Sequence, residues 1–381
     1  MFLMTPPEGA QTILNRLNNA GYEAVLVGGC IRDTLLGLPP HDWDIASSAS
    51  PEAVKTVLAG CRILETGIKH GTLTVLLDRP YEITTYRAPE DSSCRLLKDL
   101  SCRDFTINAM AYHPNASLTD PFGGQKDIQA GIIRCVGRAQ DRFDEDPLRT
   151  LRAVRFQSIL GFSIAPETRS ALEGVCLDGV AGERIGSELR ALLTGKYAVR
   201  ALTETPGPVL AAVPELSVLT PDVLSSENEA VRLAAFFYAL SPQSIQKMMR
   251  RLAFSRELTD CTVQLASHAE DPLVPADALR WLSKMPVRQI RRLAALRLAL
   301  TGQRQDAFLE ALENALHSGR AYSLKMLAIS GSDLIALGAK PGPNLGLILS
   351  ALLDAVISGE LPNEPDALLK AARPLLSEQH R

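Results

Sequence analysis

The first third of the chain alternates short apolar runs with short amphipathic stretches. Residues 22–27 form an apolar run of strand length that stops at Gly28-Gly29. Residues 30–36 carry helical spacing and stop at Gly37. Residues 43–46 read as a second strand. Ser50 and Pro51 then mark a helix start, with Ser as cap and Pro at the first position. Residues 73–77 and 81–86 are β-rich and are split by the turn-forming Asp78-Arg79-Pro80. Beyond about residue 140, Ala, Leu, Arg and Glu recur with helical spacing, strand signals fade, and prolines such as Pro147, Pro166, Pro242 and Pro286 punctuate helices. No fixed-period repeat is visible. The pattern predicts an α+β protein: a small mixed β-sheet followed by a long, wholly helical remainder.

Composition adds limits to this picture. Hydrophobic residues make up 46% of the 381, enough for a large core, and aromatics only 5%, which suits a helix-rich chain. No apolar run reaches the ~20 residues of a membrane span. The first twenty residues lack the basic start and apolar block of a secretory leader. The seven cysteines form no CxxC pair, so neither a zinc site nor a disulfide framework is indicated, and a reducing cytoplasm is the expected location. Net charge is −3, so any nucleic-acid partner must be held by basic residues gathered on one face.

The candidate chemistry begins at Asp42-Trp43-Asp44. On a strand, residues two apart share a face, so two carboxylates meet and repel unless a cation lies between them. Mg²⁺ suits such a pair, since it takes hard oxygen ligands from one or two carboxylates plus substrate phosphates. Alone, Asp-x-Asp is more often a solvated strand end. Its neighbours change the reading. Gly28 and Gly29, between a buried strand and a helix, let backbone N–H groups approach a phosphate, and Arg32 on the next turn can fork onto phosphate oxygens. Glu82 alternates with Ile83 along its strand. If that strand lies beside the Asp strand, Glu82 is a third carboxylate that can position or deprotonate an attacking hydroxyl, the alternative being an exposed strand glutamate.

A longer series then emerges: Gly-Gly-Cys-Ile-Arg-Asp (28–33), Asp-Trp-Asp-Ile-Ala (42–46), Gly-Ile-Lys-His-Gly-Thr (67–72) and Glu-Ile-Thr-Thr-Tyr-Arg (82–87). Arg-Asp-Phe-Thr-Ile-Asn-Ala-Met-Ala (103–111) and Asp-Pro-Phe-Gly-Gly (120–124) follow. Glu-Asp-Pro-Leu-Arg-Thr-Leu-Arg-Ala-Val-Arg-Phe (145–156) and Gly-Glu-Arg-Ile-Gly-Ser-Glu-Leu (182–189) complete it. This order resembles the class II tRNA nucleotidyltransferases, the bacterial-type CCA-adding enzymes and their poly(A) polymerase relatives. The resemblance is strongest over residues 22–195. It implies a nucleotidyltransferase head (1–137), a helical neck that selects the base (138–200), a helical body (201–300) and a helical tail that binds tRNA (301–381). It also implies Mg²⁺ on Asp42 and Asp44, phosphate contacts from Gly29 and Arg32, and a further nucleotide contact from Arg103. CTP and ATP would be added to the tRNA 3′ end without a nucleic-acid template.

Residues 145–156 make that selection physically sensible. Asp146-Pro147 reads as a helix cap and first residue, with Arg149, Arg152 and Arg155 on one broad face. CTP and ATP each present an amine donor beside a ring-nitrogen acceptor. An Asp146–Arg149 pair complements them and sets like against like for UTP and GTP. Arg152 and Arg155 would steady that pair or reach ribose and phosphate. The plainer alternative is a capping Asp146 ahead of a solvated basic face.

Between Arg87 and Arg103 the chain is shorter than in complete CCA-adding enzymes, and Cys102 stands where a further Arg is common. In the family, a shortened loop accompanies enzymes that add only the two cytidines. A mobile loop that reshapes the pocket would explain why its loss ends synthesis before adenosine, so CC addition is the narrower expectation. Lys247, Arg250, Arg251, Arg288, Arg291, Arg292 and Arg297 offer basic faces for tRNA phosphates, and Gly338–Gly346 offers a glycine-rich helix start with Lys340. The competing readings are a poly(A) polymerase on the same scaffold and a catalytically silent tRNA-binding protein. The sequence assigns no oligomeric state.

Overall fold

The computed structural model describes residues 4–377, apart from 66, 69–70, 88–93, 115–116, 217–218, 220–223 and 225. The chain divides into two compact units, Met1–Leu219 and Thr220–Arg381.

The first unit opens with α1 (Glu8–Asn19), whose Ile13, Leu14 and Leu17 are almost wholly buried, the one-sided spacing of an amphipathic helix. Then come β1 (Ala24–Val27), α2 (Gly29–Leu35), β2 (Asp44–Ser47), α3 (Pro51–Val57), β3 (Arg62–Leu64), β4 (Thr72–Leu76) and β5 (Pro80–Thr85). They are followed by α4 (Arg95–Ser101), β6 (Ala111–His113), β7 (Ser117–Thr119) and α5 (Gly124–Ala130). Ser50 caps α3 through a 3.2 Å bond accepted from the Ala53 amide, and Leu77 donates to Arg79 across the β4–β5 turn. Helix α2 begins at Gly29, one residue before its sequence expectation, and Gly37 follows it with positive φ.

Strands β1 to β7 form one sheet in the order β3-β4-β5-β2-β1-β6-β7. Only β2 and β5 pair parallel, with Ile45 opposite Ile83; the other pairings are antiparallel. Period-2 alternation sorts the faces. Leu26, Trp43, Ile45, Val75, Tyr81 and Ile83 enter the main core, which also takes Phe105 and Phe156. Val25, Val27, Ala46, Tyr86, Leu100 and Ala111 form a smaller cluster. Asp44 and Glu82 have the parity of that smaller cluster's face. Trp43 is therefore the inward anchor between Asp42 and Asp44. Regular strand begins only at Asp44, so Asp42 sits just ahead of it, a small departure from a strand over 43–46.

Among the described residues, the regular structure in the remainder of this unit is helical, apart from a two-residue parallel pairing of β8 (Ile132–Ile133) with β9 (Ser163–Ile164) and an isolated bridge from Cys135 to Phe105. Helix α6 (Ala139–Glu145) leads through Asp146 into α7 (Leu148–Leu160). After α8 (Pro166–Ser170), α9 (Gly182–Thr194) packs against α7. In the second unit, helices run from Glu229–Phe236 to Pro365–Ser377. One core gathers residues between Ala230 and Leu312, around Trp281, Leu293 and Phe308, and another gathers residues between Ala321 and Ala372. Among the described residues no helix is long and apolar enough to cross a membrane. Arg297 donates to the Ala269 carbonyl and Arg291 pairs with Glu313, so part of the basic complement serves the fold.

Candidate active site

The site starts at the end of β1. Gly28 has φ +79° and ψ −129°, a conformation that side chains rarely adopt, and its amide donates to the Met110 carbonyl at 3.2 Å. A β-carbon there would lie 2.9 Å from Nη1 of Arg103 and 3.9 Å from Oδ2 of Asp44. The bare Cα thus leaves room for a cation and a carboxylate to line the space over the turn. At Gly29 a β-carbon would make only ordinary 3.5 Å contact with Arg32 Nη2.

Arg32 is largely buried and tightly held. Nε and Nη2 donate to Asp33 Oδ1 at 2.9 and 2.7 Å, Nη1 donates to Asn108 Oδ1 at 2.8 Å, and the guanidinium lies 5.0 Å from the Phe156 ring centre. Arg103 donates to Asp99 Oδ2 at 3.4 Å. The other Asp99 oxygen accepts from the Arg87 amide at 3.2 Å.

Asp44 is half-buried, and Asp42 and Glu82 are exposed. Burial, with help from the neighbouring negative charges of Glu82 and Asp42 and against the pull of Arg103, pushes the Asp44 carboxyl up to about 6. A carboxylate held up by burial and by neighbouring negative charge is an oxygen donor of the kind a hard divalent cation takes. Among the described residues no three His, Cys, Asp or Glu side chains converge as a complete metal cage.

Behind the turn lies a buried charged network. Asp104 accepts from the Phe105 amide at 2.8 Å and from Asn108 Nδ2 at 3.1 Å, while Arg152 Nε and Nη2 reach its Oδ2 at 2.9 and 2.6 Å. Burial alone would raise its pKa, but Arg152 and these hydrogen bonds outweigh it and hold Asp104 down at about 2. Arg152 and Arg155 also pair with Glu188 on α9 at 3.2 and 3.0 Å. Both guanidiniums lie within 5.6 Å of the Phe156 ring centre.

The three arginines of α7 therefore do not form a solvated face. Arg149 is buried; it donates to Glu145 Oε2 and to the Cys102 carbonyl, both at 2.9 Å. Asp146 accepts from the Leu148 amide at 3.2 Å through Oδ1 and from Arg184 at 2.8 Å through Oδ2. Asp146 and Arg149 are sequence neighbours with separate partners here. The structure brings together Gly28, Arg103 and Asp44, places Glu82 and Asp42 within electrostatic reach of Asp44, and gathers Arg32, Arg152 and Arg155 around Phe156. Asp104, Asn108, Arg184 and Glu188 were assigned no role from sequence. Their signal was present, since all four lie in motifs of the recognised series.

A mixed sheet carrying Asp44 beside a glycine turn lined by Arg103, with Glu82 on the neighbouring strand, has the build of a nucleotidyltransferase. The family described as poly A polymerase head domain matches residues 24–134, and tRNA nucleotidyltransferase domain 2 matches residues 224–372. A CCA-adding enzyme of Lactiplantibacillus plantarum is 35% identical over 406 residues, covering 96% of each chain. One from Lactobacillus delbrueckii subsp. bulgaricus is 37% identical, covering 94% of this chain and 96% of its own. The crystal structure of Bacillus stearothermophilus CCA-adding enzyme in complex with CTP superposes with a TM-score of 0.80 at 32% identity, over 99% of this chain and all of the other. The chain belongs to the class II tRNA nucleotidyltransferase family.

Proposed function

We propose that this protein adds the 3′-terminal CCA to tRNA from CTP and ATP, in the cytoplasm, without a nucleic-acid template and with Mg²⁺ at Asp42 and Asp44. The observation that carries the proposal is the Asp44 carboxyl, half-buried beside the negative charges of Glu82 and Asp42, with Asp44 and Arg103 both lining the space above Gly28. The match of residues 224–372 to a tRNA nucleotidyltransferase domain favours tRNA over general RNA, and so this reading over poly(A) synthesis. The intact carboxylates argue against a silent binding protein. The division into head, neck, body and tail belongs to the same proposal; the second unit has two separate cores, with Phe308 and Leu312 in the first and Ala321 opening the second, so a body–tail division would fall near residue 320, later than the 300/301 boundary expected from sequence.

In the proposed reaction the tRNA 3′-oxygen attacks the α-phosphorus, the bond to the bridging oxygen breaks and pyrophosphate leaves. The Gly28 amide is committed to the Met110 carbonyl, so the turn would offer the triphosphate the Gly29 N–H, and Arg32 and Arg103 add charge there. Glu82 orients the attacking hydroxyl and takes up its proton. The divalent cation, when bound, would supply charge stabilisation to the attacking and leaving oxygens. Asp146 would exchange Arg184 for the exocyclic amine of the base. Arg149, fixed by Glu145 and the Cys102 carbonyl, would donate to the ring nitrogen. Arg152 holds the reading helix against the head through Asp104, and Arg155 ties it to α9 through Glu188.

Addition of CC alone is the second reading. Residues 88–93 of the short segment lie outside the described residues, as do Lys69 and His70 of the 67–72 motif. On the described flanks, the Arg87 amide is tied to Asp99, and Arg95 donates to the Ser48 carbonyl at 3.1 Å beside the Tyr86 ring. One assay separates the readings. The protein is incubated with tRNA lacking CCA and with tRNA ending in CC, supplied with CTP, ATP or both. Completion to CCA supports the full activity. Two cytidines with no adenylation of the CC-ended tRNA support the narrower one. A long adenosine tail would indicate a polymerase, and no product under any condition would sink the enzymatic proposal.

A further inference from the structure

We propose that Asn108 is a positioning residue that couples the triphosphate side of the site to its base-reading helix. The inference rests on the nucleotide placement proposed above. Asn108 is 6% exposed and lies in the short turn Thr106–Asn108 beneath Gly28. Its Oδ1 accepts from Arg32 Nη1 at 2.8 Å, and its Nδ2 donates to Asp104 Oδ1 at 3.1 Å. The opposite Asp104 oxygen takes both Nε and Nη2 of Arg152. An unbroken hydrogen-bonded path thus runs from α2 through Asn108 and Asp104 to the middle of α7.

The chemistry of that path demands a carboxamide. One neighbour is a cation that needs an acceptor, and the other is an anion that needs a donor. The side-chain amide presents both from one rigid plane, and the reversed orientation would face donor to donor and acceptor to acceptor. An aspartate would satisfy Arg32 and repel Asp104. An aliphatic residue would leave Arg32 Nη1 and an oxygen of Asp104 short of a buried partner. Asn108 touches no reacting group on this reading. It fixes where Arg32 points relative to Arg152, so a shift of Arg32 onto phosphate draws on the same network that seats the reading helix. A second contact closes the circuit, because Arg32 and Arg152 flank the same Phe156 ring.

The test is a double-mutant cycle on the full chain, read as kcat/KM for CTP. Arg32→Lys, Arg152→Lys and the double variant are compared in the parent and in Asn108→Ala. In the parent, the combined effect should depart from the product of the single effects by about fivefold, as for residues in one network. In Asn108→Ala the departure should shrink at least about threefold, and discrimination of CTP over UTP should fall, with circular dichroism and melting confirming a folded protein. Should Asn108→Ala not fold, Asn108→Asp carries the same test, since it keeps the Arg32 contact and loses the Asp104 one. Undiminished departure without the Asn108 amide, or none in the parent, overturns the inference. If neither arginine substitution alone alters kcat/KM, the nucleotide placement itself fails and takes the coupling with it.

Discussion

Arg103 occupies the space that a β-carbon would need at Gly28, with Nη1 2.9 Å from that point. Two penalties therefore meet in Gly28→Ala. The backbone at φ +79° becomes strained, worth about 1–3 kcal/mol. The guanidinium is also driven from its place beside Asp44. A lost contact from such a cation to a phosphate, worth roughly 1.5–3 kcal/mol, should lower kcat/KM for CTP about tenfold or more. Gly29→Ala is the control, because its β-carbon meets Arg32 Nη2 at an ordinary 3.5 Å. Melting curves and steady-state kinetics on both variants check this; equal losses would show that the space over Gly28 is not special.

Asp44 is strained electrostatically rather than sterically. Its carboxyl is raised from 3.8 to about 6 in the folded chain. Any stability linked to a raised pKa is fully present below the unfolded value and is lost as pH rises through the folded one. At pH 7.5 without divalent cation, the ionised group should thus cost stability on the order of 2 kcal/mol. Asp44→Asn removes that cost while abolishing incorporation. The variant should melt higher than the parent at pH 7.5 without metal, and the gap should close near pH 4. Added Mg²⁺ should stabilise the parent and leave Asp44→Asn unmoved. A variant that melts lower than the parent at pH 7.5 would contradict the crowding argument.

How far the sequence carries differs between these parts. The strands, the Ser50 cap and the turn after β1 were legible because their causes are local: alternation, a capping hydroxyl, paired glycines. The adjacency of the Asp44 and Glu82 strands needed the parallel pairing of β2 with β5, which joins residues 38 apart and which no local pattern dictates. The partners of α7 were hidden for the same reason. The periodicity of Arg149, Arg152 and Arg155 says that they share a face, but what covers that face is set by the packing of α9 and the 103–108 segment. Asp104 and Glu188 supply the anions there, and they turn an expected basic surface into a buried network.

The cysteines give a further check on the fold. Burial, aided by the nearby negative charge of Asp44, pushes the Cys30 thiol up to about 12; burial does the same to Cys135. Thiolate is the reactive form, so both should resist alkylation in the native protein at pH 8. Cys94 and Cys176 are exposed and should react first. Mass spectrometry of iodoacetamide-treated protein, native and in urea, reads out the order. Native labelling of Cys30 ahead of Cys176 would mean that the turn after β1 opens far more readily than its packing implies.

The last prediction concerns the two oxygens of Asp146. Oδ1 accepts the Leu148 amide at the start of α7, so it is committed to the helix, and Oδ2 holds Arg184. The Arg184 side chain is 53% exposed, and an exposed ion pair of this kind is worth about 1 kcal/mol or less. Arg184→Met should therefore leave stability nearly unchanged and shift CTP-over-UTP discrimination by about fivefold at most. Asp146→Ala removes both the acceptor for the Leu148 amide, one residue ahead of the Pro147 cap position, and the acceptor that an exocyclic amine requires. A base donor left without its partner costs roughly 1–3 kcal/mol, so discrimination should fall about tenfold to a hundredfold. Competition assays with paired nucleotides, run beside melting curves, rank the two variants. Discrimination that survives Asp146→Ala would remove this carboxylate from base reading, and equal losses in both variants would move the reading to the Asp146–Arg184 pair as a unit.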